Sequence, residues 1–319
     1  MSSASTPVKT IKQTLDVLNN IILGKEPQIK LALTCLLAKG HLLIEDLPGM
    51  GKTTLSHALA KALGLSYNRI QFTSDLMPAD ILGVSIFEKE SKPSDDSGAQ
   101  HGVFRFHAGP IFSQLVLADE INRATPKAQS ALLEAMEEGQ VTIEGETRQL
   151  PSPFFVIATQ NPVSQAGTFP LPESQLDRFL MRISIGYPDA KSEMELLTGV
   201  DRRTLLQSLE QVITAEQLAT MQLGANDVFA STTVLEYIQR IIHFTRYDAG
   251  YSYGLSPRAG LGLLKAAKAW AYIHQREHLI PEDVQAVFPA VIDHRLADAA
   301  QQSEHGVSAQ ILQRIPVLK

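Results

Sequence analysis

Cysteine is almost missing from this sequence: Cys35 stands alone in 319 positions. One thiol closes no internal disulfide and builds no cysteine-based metal site, so nothing points to an oxidising compartment and a cytoplasmic location is expected. Long apolar runs are missing too. Even the stretch 31–38, closed by Lys39-Gly40, is far shorter than the ~20 residues a membrane-spanning helix needs, and no membrane span is expected. Nor is there the continuous apolar core of a signal peptide, because Val8, Ile11, Leu15 and Leu18 recur at helical spacing with Lys9 and Lys12 between them. Positive charge is not in excess: 28 Lys+Arg against 34 Asp+Glu give a formal charge of -6. The field of a dedicated duplex-DNA binder is absent, and no nucleic-acid partner is expected. What is present is 44% hydrophobic and 19% charged residues, the composition of a globular chain long enough for a large core and two domains.

Between His41 and Ile185 short apolar runs alternate with helical patterns, which predicts an α/β fold with a mostly parallel sheet flanked by helices. The predicted strands are 42–44, 69–72, 115–118, 154–159 and 181–185. Beyond Tyr187-Pro188 only helical periodicity continues, so the expected division is an α/β nucleotide-binding core over 1–187 and a smaller all-helical lid over 188–319. A β-like insert is expected over 81–110, with short strands at 84–87 and 103–106 joined by the polar loop 91–98. A hairpin is expected over 141–148 around Glu144-Gly145.

The first strand runs into Asp46-Leu-Pro-Gly-Met-Gly-Lys-Thr-Thr54 and then into a helical pattern. Glycines let backbone N–H groups close around phosphates, a lysine reaches the outer phosphates and a hydroxyl holds Mg²⁺ at a helix start. Gly49, Gly51, Lys52 and Thr53 fit these roles. The full pattern places glycine where Asp46 stands; its carboxylate is expected to point away and to weaken nucleotide binding. Leu115-Val-Leu-Ala-Asp-Glu120 is an apolar strand ending in two carboxylates, Asp119 suited to Mg²⁺ and Glu120 to polarising an attacking water. A further apolar strand ends at Asn161, whose amide suits positioning of that water. Arg178, before the last strand, suits a surface edge from which an arginine acts on a neighbouring subunit's nucleotide. Gly254-Leu-Ser-Pro-Arg258 opens a helix, with Ser256 as cap and Pro257 in the first turn.

Together these segments resemble the AAA+ ATPases and, within them, the MoxR family. The likeness covers Gly24, 41–53, 72–83, 109–139, 154–182 and Ser256-Pro-Arg258, and its most specific part runs from Asp119-Glu-Ile-Asn-Arg to Met136-Glu-Glu-Gly139. It implies ATP and Mg²⁺ as cofactors. It assigns Gly24, Pro48, Gly49, Met50, Gly51, Lys52, Thr53 and Thr54 to nucleotide, Thr53 and Asp119 to the metal, and Glu120, Asn161, Arg178 and Arg258 to catalysis, the last three as sensor 1, arginine finger and sensor 2. It also implies a homo-oligomer, commonly a hexameric ring, acting as a chaperone that matures client proteins or assists metal cofactor insertion. Partners with von Willebrand factor A domains are typical, and the insert usually faces the ring's channel.

Two rival functions remain: a nucleotide-gated binding module that switches a partner interface without turnover-driven work, and a nucleic-acid motor, which the acidic balance disfavours. Gly250-Tyr-Ser-Tyr-Gly254 has the spacing of a hydrolase elbow without a preceding strand. His274-Gln-Arg-Glu-His278 has a zinc-peptidase spacing where a helix is expected to end. Cys35 is expected to be a buried thiol, and 134–138 a solvated helix face.

Overall fold

Apolar runs that must bury both faces pair most economically with one another, and here they form the centre of a five-stranded parallel sheet. The computed structural model describes residues 7–89, 102–162, 167–247, 251, 253–296 and 307–317. Numbered in chain order, the sheet strands are β1 (His41–Glu45), β2 (Tyr67–Gln71), β5 (Leu115–Asp119), β8 (Phe155–Gln160) and β9 (Phe179–Ile183). They lie in the order β2-β5-β8-β1-β9, all neighbours parallel, and each falls within about two residues of its predicted span.

Side chains alternate between two cores. Leu42, Ile44, Leu115, Leu117 and Ile157 face one, whereas Leu43, Val116, Ala118, Val156 and Ala158 face the other. The first is covered by α1 (Pro7–Ile21), α2 (Glu26–Leu37) and α3 (Lys52–Ala62). The second is covered by α4 (Pro78–Leu82) and α5 (Pro126–Glu138). Leu117 is fully buried, so Leu117→Ala would cost about 2–5 kcal/mol through lost contact and the void it leaves.

The insert forms an antiparallel pair, β3 (Gly83–Lys89) with β4 (Gly102–Ala108); its expected polar loop lies outside the described residues. Phe87 and Phe104 stand exposed on this pair with ring centroids 5.2 Å apart. The second hairpin is β6 (Gln140–Ile143) with β7 (Glu146–Gln149). Its turn residues Glu144 and Gly145 both take positive φ, 53° and 83°, as the twist-matched two-residue turn requires. Arg148 of β7 lays its guanidinium 3.9 Å from the Phe106 ring centroid, joining the two hairpins.

A short helix α6 (Glu173–Leu176) leads into β9. Beyond β9 follow α7 (Ala190–Thr198), α8 (Arg202–Gln207), α9 (Ala215–Asp227), α10 (Thr232–Tyr247), α11 (Pro257–Ile273), α12 (Pro281–Ile292) and α13 (Val307–Arg314). Among the described residues none after Ile183 belongs to a strand, and one isolated bridge joins Phe229 to His278. Helices α9 to α13 share the first core, since Leu218, Tyr237, Leu263, Val287 and Ile311 pack into the cluster that holds Leu42 and Leu117. Contact is close at Leu180: a Cβ on Gly40 would meet its side chain at 2.2 Å and one on Gly262 at 2.9 Å. Glycine at both positions is what lets α11 and the chain entering β1 close on β9.

Candidate active site

At the carboxyl end of β1 the chain turns through 46–51 into α3. Gly49 and Gly51 both have φ of 85°, a left-handed conformation that strains other residues, and a Cβ on either would project into empty space. The backbone there is bare, and its N–H groups together with the first turn of α3 form a positive end suited to an anion. Lys52 is the first residue of α3 and folds its Nζ onto the carbonyl oxygens of Asp46 and Leu47, at 2.5 and 2.8 Å. Desolvation draws the Lys52 pKa down, opposed by the charges of Asp46, Asp119 and Glu120.

Asp46 turns away from this bare loop, as expected. Its Oδ2 accepts from the Gly186 N–H at 2.6 Å and from Ser184 Oγ at 3.2 Å, and Oδ1 accepts from the Leu47 N–H at 2.8 Å. Burial alone would raise its pKa, yet these hydrogen bonds together hold it below the usual value. The side chain thus ties the loop to the end of β9.

The facing wall comes from β5 and β8, whose register pairs Ala118 with Ala158 and so brings Asp119 beside Thr159. Thr159 Oγ1 donates to Asp119 Oδ1 at 2.6 Å and accepts from the Glu120 N–H at 2.8 Å. Glu120 sits at φ 58°, ψ 48°, an uncommon conformation for a side-chain-bearing residue and one that clusters at functional sites. Its Oε2 accepts from Gln71 Nε2 at 3.1 Å and pairs with Arg123 Nη1 at 3.0 Å. A cleft of about 300 Å³ is lined by Pro48, Gly49, Gly51, Lys52, Thr53, Thr54, Asp119, Glu120, Thr159, Gln160 and Asn161. Thr53 and the two carboxylates supply hard oxygen donors suited to Mg²⁺, which characteristically completes its shell with phosphate oxygens and water.

Four predicted residues lie elsewhere. Met50 packs against the first core rather than lining the cleft. Gly24, at φ 66°, faces Ser192 and Asp189, which caps α7. Arg178 and Arg258 do not line the cleft either. Arg178 Nη1 lies 2.5 Å from Glu137 Oε2 and donates to the Leu133 carbonyl at 2.7 Å, and Arg258 pairs with Glu137 Oε1. The expectation of a simply solvated face over 134–138 is therefore corrected at Glu137, which bridges two arginines.

Ser256 caps α11 as predicted, accepting from the Ala259 N–H at 3.1 Å. The zinc-like spacing dissolves because α11 ends at Ile273: His274 bonds back to the Trp270 carbonyl and His278 enters the bridge with Phe229. Among the described residues no group of three or more His, Cys, Asp or Glu could hold a metal. Gly250 and Ser252 of the elbow-like motif lie outside the described residues. Cys35 is buried, and burial pushes its thiol pKa up. No helix among the described residues is long and apolar enough to cross a membrane.

Sequence reasoning missed Arg69, Gln71, Arg123, Thr159, Gln160 and Glu137. A signal existed for some: Thr159-Gln160 are polar residues closing an apolar strand, and Gln71 closes β2 beside the acidic pair. Nothing local in the sequence points to Arg69 or Glu137, whose partners are far away along the chain.

Residues 41–181 match the ATPase family associated with various cellular activities (AAA), and 243–315 match the AAA lid domain. The uncharacterized protein YeaC of Bacillus subtilis is 43% identical over 95% of this chain and 91% of its own length. Chaperone MoxR1 of Mycobacterium tuberculosis is 38% identical over 91% of this chain and 76% of its own. The crystal structure of a candidate ATPase from Cytophaga hutchinsonii superposes with a TM-score of 0.86 at 35% identity, covering 98% of this chain and 96% of that one. With the cleft at the strand ends, the lysine loop, the paired acids and these likenesses over nearly its whole length, the chain belongs to the MoxR family of AAA+ ATPases.

Proposed function

We propose that the chain is a Mg²⁺-dependent ATPase working as a chaperone ring, with its hydrolytic cleft between the lysine loop and the ends of β5 and β8. The carrying observation is the convergence of Lys52, Thr53, Asp119, Glu120 and Asn161 on one cleft beside bare glycine backbone. The proposed working division is a nucleotide-binding core over 1–187 and a lid over 188–319.

In this reading the N–H groups of 49–53 hold the β- and γ-phosphates and Lys52 leaves its loop carbonyls for phosphate oxygens. Thr53 and Asp119 hold Mg²⁺, which offsets charge developing on the phosphates. Glu120 accepts the proton of the attacking water while Asn161 fixes that water in line. Met50 supports the loop from beneath, and Gly24 sits where the segment entering α7 meets the core. Arg178 and Arg258, both outside their own chain's cleft, act across a boundary on the triphosphate of an adjacent copy.

Ring assembly, commonly sixfold, then places each cleft against the next chain's arginines. Client proteins meet the exposed Phe87 and Phe104 of the insert, and a partner with a von Willebrand factor A domain delivers them; metal cofactor insertion is one form of such maturation. Binding and phosphate release by Lys52→Ala and Glu120→Gln test the site. Lys52→Ala should lose ATP binding, whereas Glu120→Gln should keep it and lose on the order of 10²–10⁴ in turnover. Turnover that survives both changes would place hydrolysis elsewhere.

A further inference from the structure

Glu137 stands where the two arginines outside the cleft meet. We propose that its carboxylate is a positioning residue for ATP turnover, binding Arg178 and Arg258 into one unit that this chain offers to the triphosphate of a second copy. The inference rests on the cross-boundary reading of Arg178 above and adds to it the group that sets the arginines' geometry.

Each carboxylate oxygen of Glu137 takes one guanidinium, Oε2 that of Arg178 and Oε1 that of Arg258. Arg178 also donates to the Leu133 carbonyl at 2.7 Å, one helical turn earlier, so both of its acceptors lie on α5. That helix is anchored by Leu132, Leu133 and Met136 in the second core. The neighbouring residue, Asp177, is held from behind: Arg295, with its side chain 5% exposed, pairs with it at 2.7 Å. Ser256 Oγ donates to Asp177 at 3.3 Å while capping the helix that carries Arg258. Core and lid thus grip the same two-residue step, Asp177-Arg178, from opposite sides.

Charge explains why such a cluster seeks an anion. Three guanidiniums, of Arg178, Arg258 and Arg295, face two carboxylates, of Glu137 and Asp177. The surplus of one positive charge lies on the outer side, where Arg258 is 51% exposed and Arg178 28%. Without Glu137 the two outer guanidiniums would repel and splay; with it they stay paired without being fully neutralised. Ion pairs this open to water contribute little to folding, so the cost of losing Glu137 falls on geometry rather than on the fold. Neither arginine lines its own cleft, and on the cross-boundary reading the anion they hold is the triphosphate of a second copy.

The test compares full-length Glu137→Gln and Glu137→Asp with the parent protein, reading kcat, KM for ATP, nucleotide affinity and native mass. Glu137→Gln should lower kcat about 10-fold or more, because a small misplacement of charged groups is costly, with KM and affinity within about twofold. Glu137→Asp should recover part of that loss. Mixing Glu137→Gln with Lys52→Ala subunits should give more turnover than either alone, since an intact cleft then meets intact arginines. An unchanged or raised kcat, or mixtures that show no recovery, would overturn the proposal. If Glu137→Gln fails to assemble, Glu137→Asp with Arg258→Ala decides. A double variant whose loss falls short of the product of the two single losses supports one unit, and a loss equal to that product overturns it. Full turnover by Arg178→Ala would instead sink the cross-boundary reading itself.

Discussion

Arg69 lies across Asp119, its Nε and Nη2 at 3.0 and 2.6 Å from the same oxygen, Oδ2. Asp119 is almost wholly buried, whereas Arg69 is half exposed, so the guanidinium closes the carboxylate from the solvent side. Any cation held by Asp119 must share or displace it.

The Arg69→Ala variant is therefore expected to need less Mg²⁺ for half-maximal ATP hydrolysis, by about severalfold, and to melt lower without nucleotide because a buried carboxylate loses its counter-charge. Mg²⁺ titrations of phosphate release and thermal melts check both. An unchanged Mg²⁺ requirement would rule out competition at Oδ2.

Gln71 and Arg123 hold the Glu120 carboxylate on its own chain. Losing one hydrogen bond of about 1 kcal/mol frees it by roughly fivefold. Gln71→Ala should thus raise basal turnover by up to about that factor with ATP affinity unchanged; a fall would mean that Gln71 assists the reaction.

Asp46→Asn should leave ATP affinity within about twofold, because the carboxylate points to Gly186 and Ser184 and not at the phosphate loop. The loss should appear in stability, about 1–3 kcal/mol for weakened buried hydrogen bonds, measured by denaturant unfolding. A large gain in affinity would show that the carboxylate repels phosphate after all.

Acid should destabilise the chain between about pH 6.5 and 4. Burial lowers His41 from 6.5 to about 4, and lowers His294 well below its ordinary value, with the nearby Arg295 charge adding to it. The Val156 N–H donates to His41 Nδ1, so the proton sits on Nε2 and faces the Met136 carbonyl; neither nitrogen has room for a second proton. The unfolded chain binds protons in this window and the folded one does not. The histidine contribution is thus complete above about pH 6.5 and is lost as pH falls, by roughly 3 kcal/mol for His41 alone. Melts of the parent and of His41→Gln should converge toward pH 4; parallel curves would refute the assignment.

The sheet was legible because its inner strands are buried on both faces, so 42–44, 115–118 and 154–158 read as unbroken apolar runs. The cleft was legible where one short segment carries the chemistry, as at Gly49-Met-Gly-Lys-Thr53 and Asp119-Glu120. What stayed hidden depends on partners brought together by topology. Arg69 meets Asp119 through the parallel register of β2 with β5, and Glu137 meets Arg258 across 121 positions. A charge on a helix face looks the same in a sequence whether water or a distant guanidinium answers it. Asp46 was read correctly in direction because a carboxylate beside a phosphate loop has only one comfortable way to turn, while its anchor on Gly186 lay 140 positions away.

Leu180, pinched between Gly40 and Gly262, leaves no cushioning layer of side chains between the outer strand and α11. A hinge at that contact would have to tear open a shared interior, so the long helices and the outer strand swing as one piece. In the proposed ring, mechanical work drawn from ATP is therefore expected to emerge as whole copies rocking against each other, and a lever measured inside a single copy should scarcely change its angle.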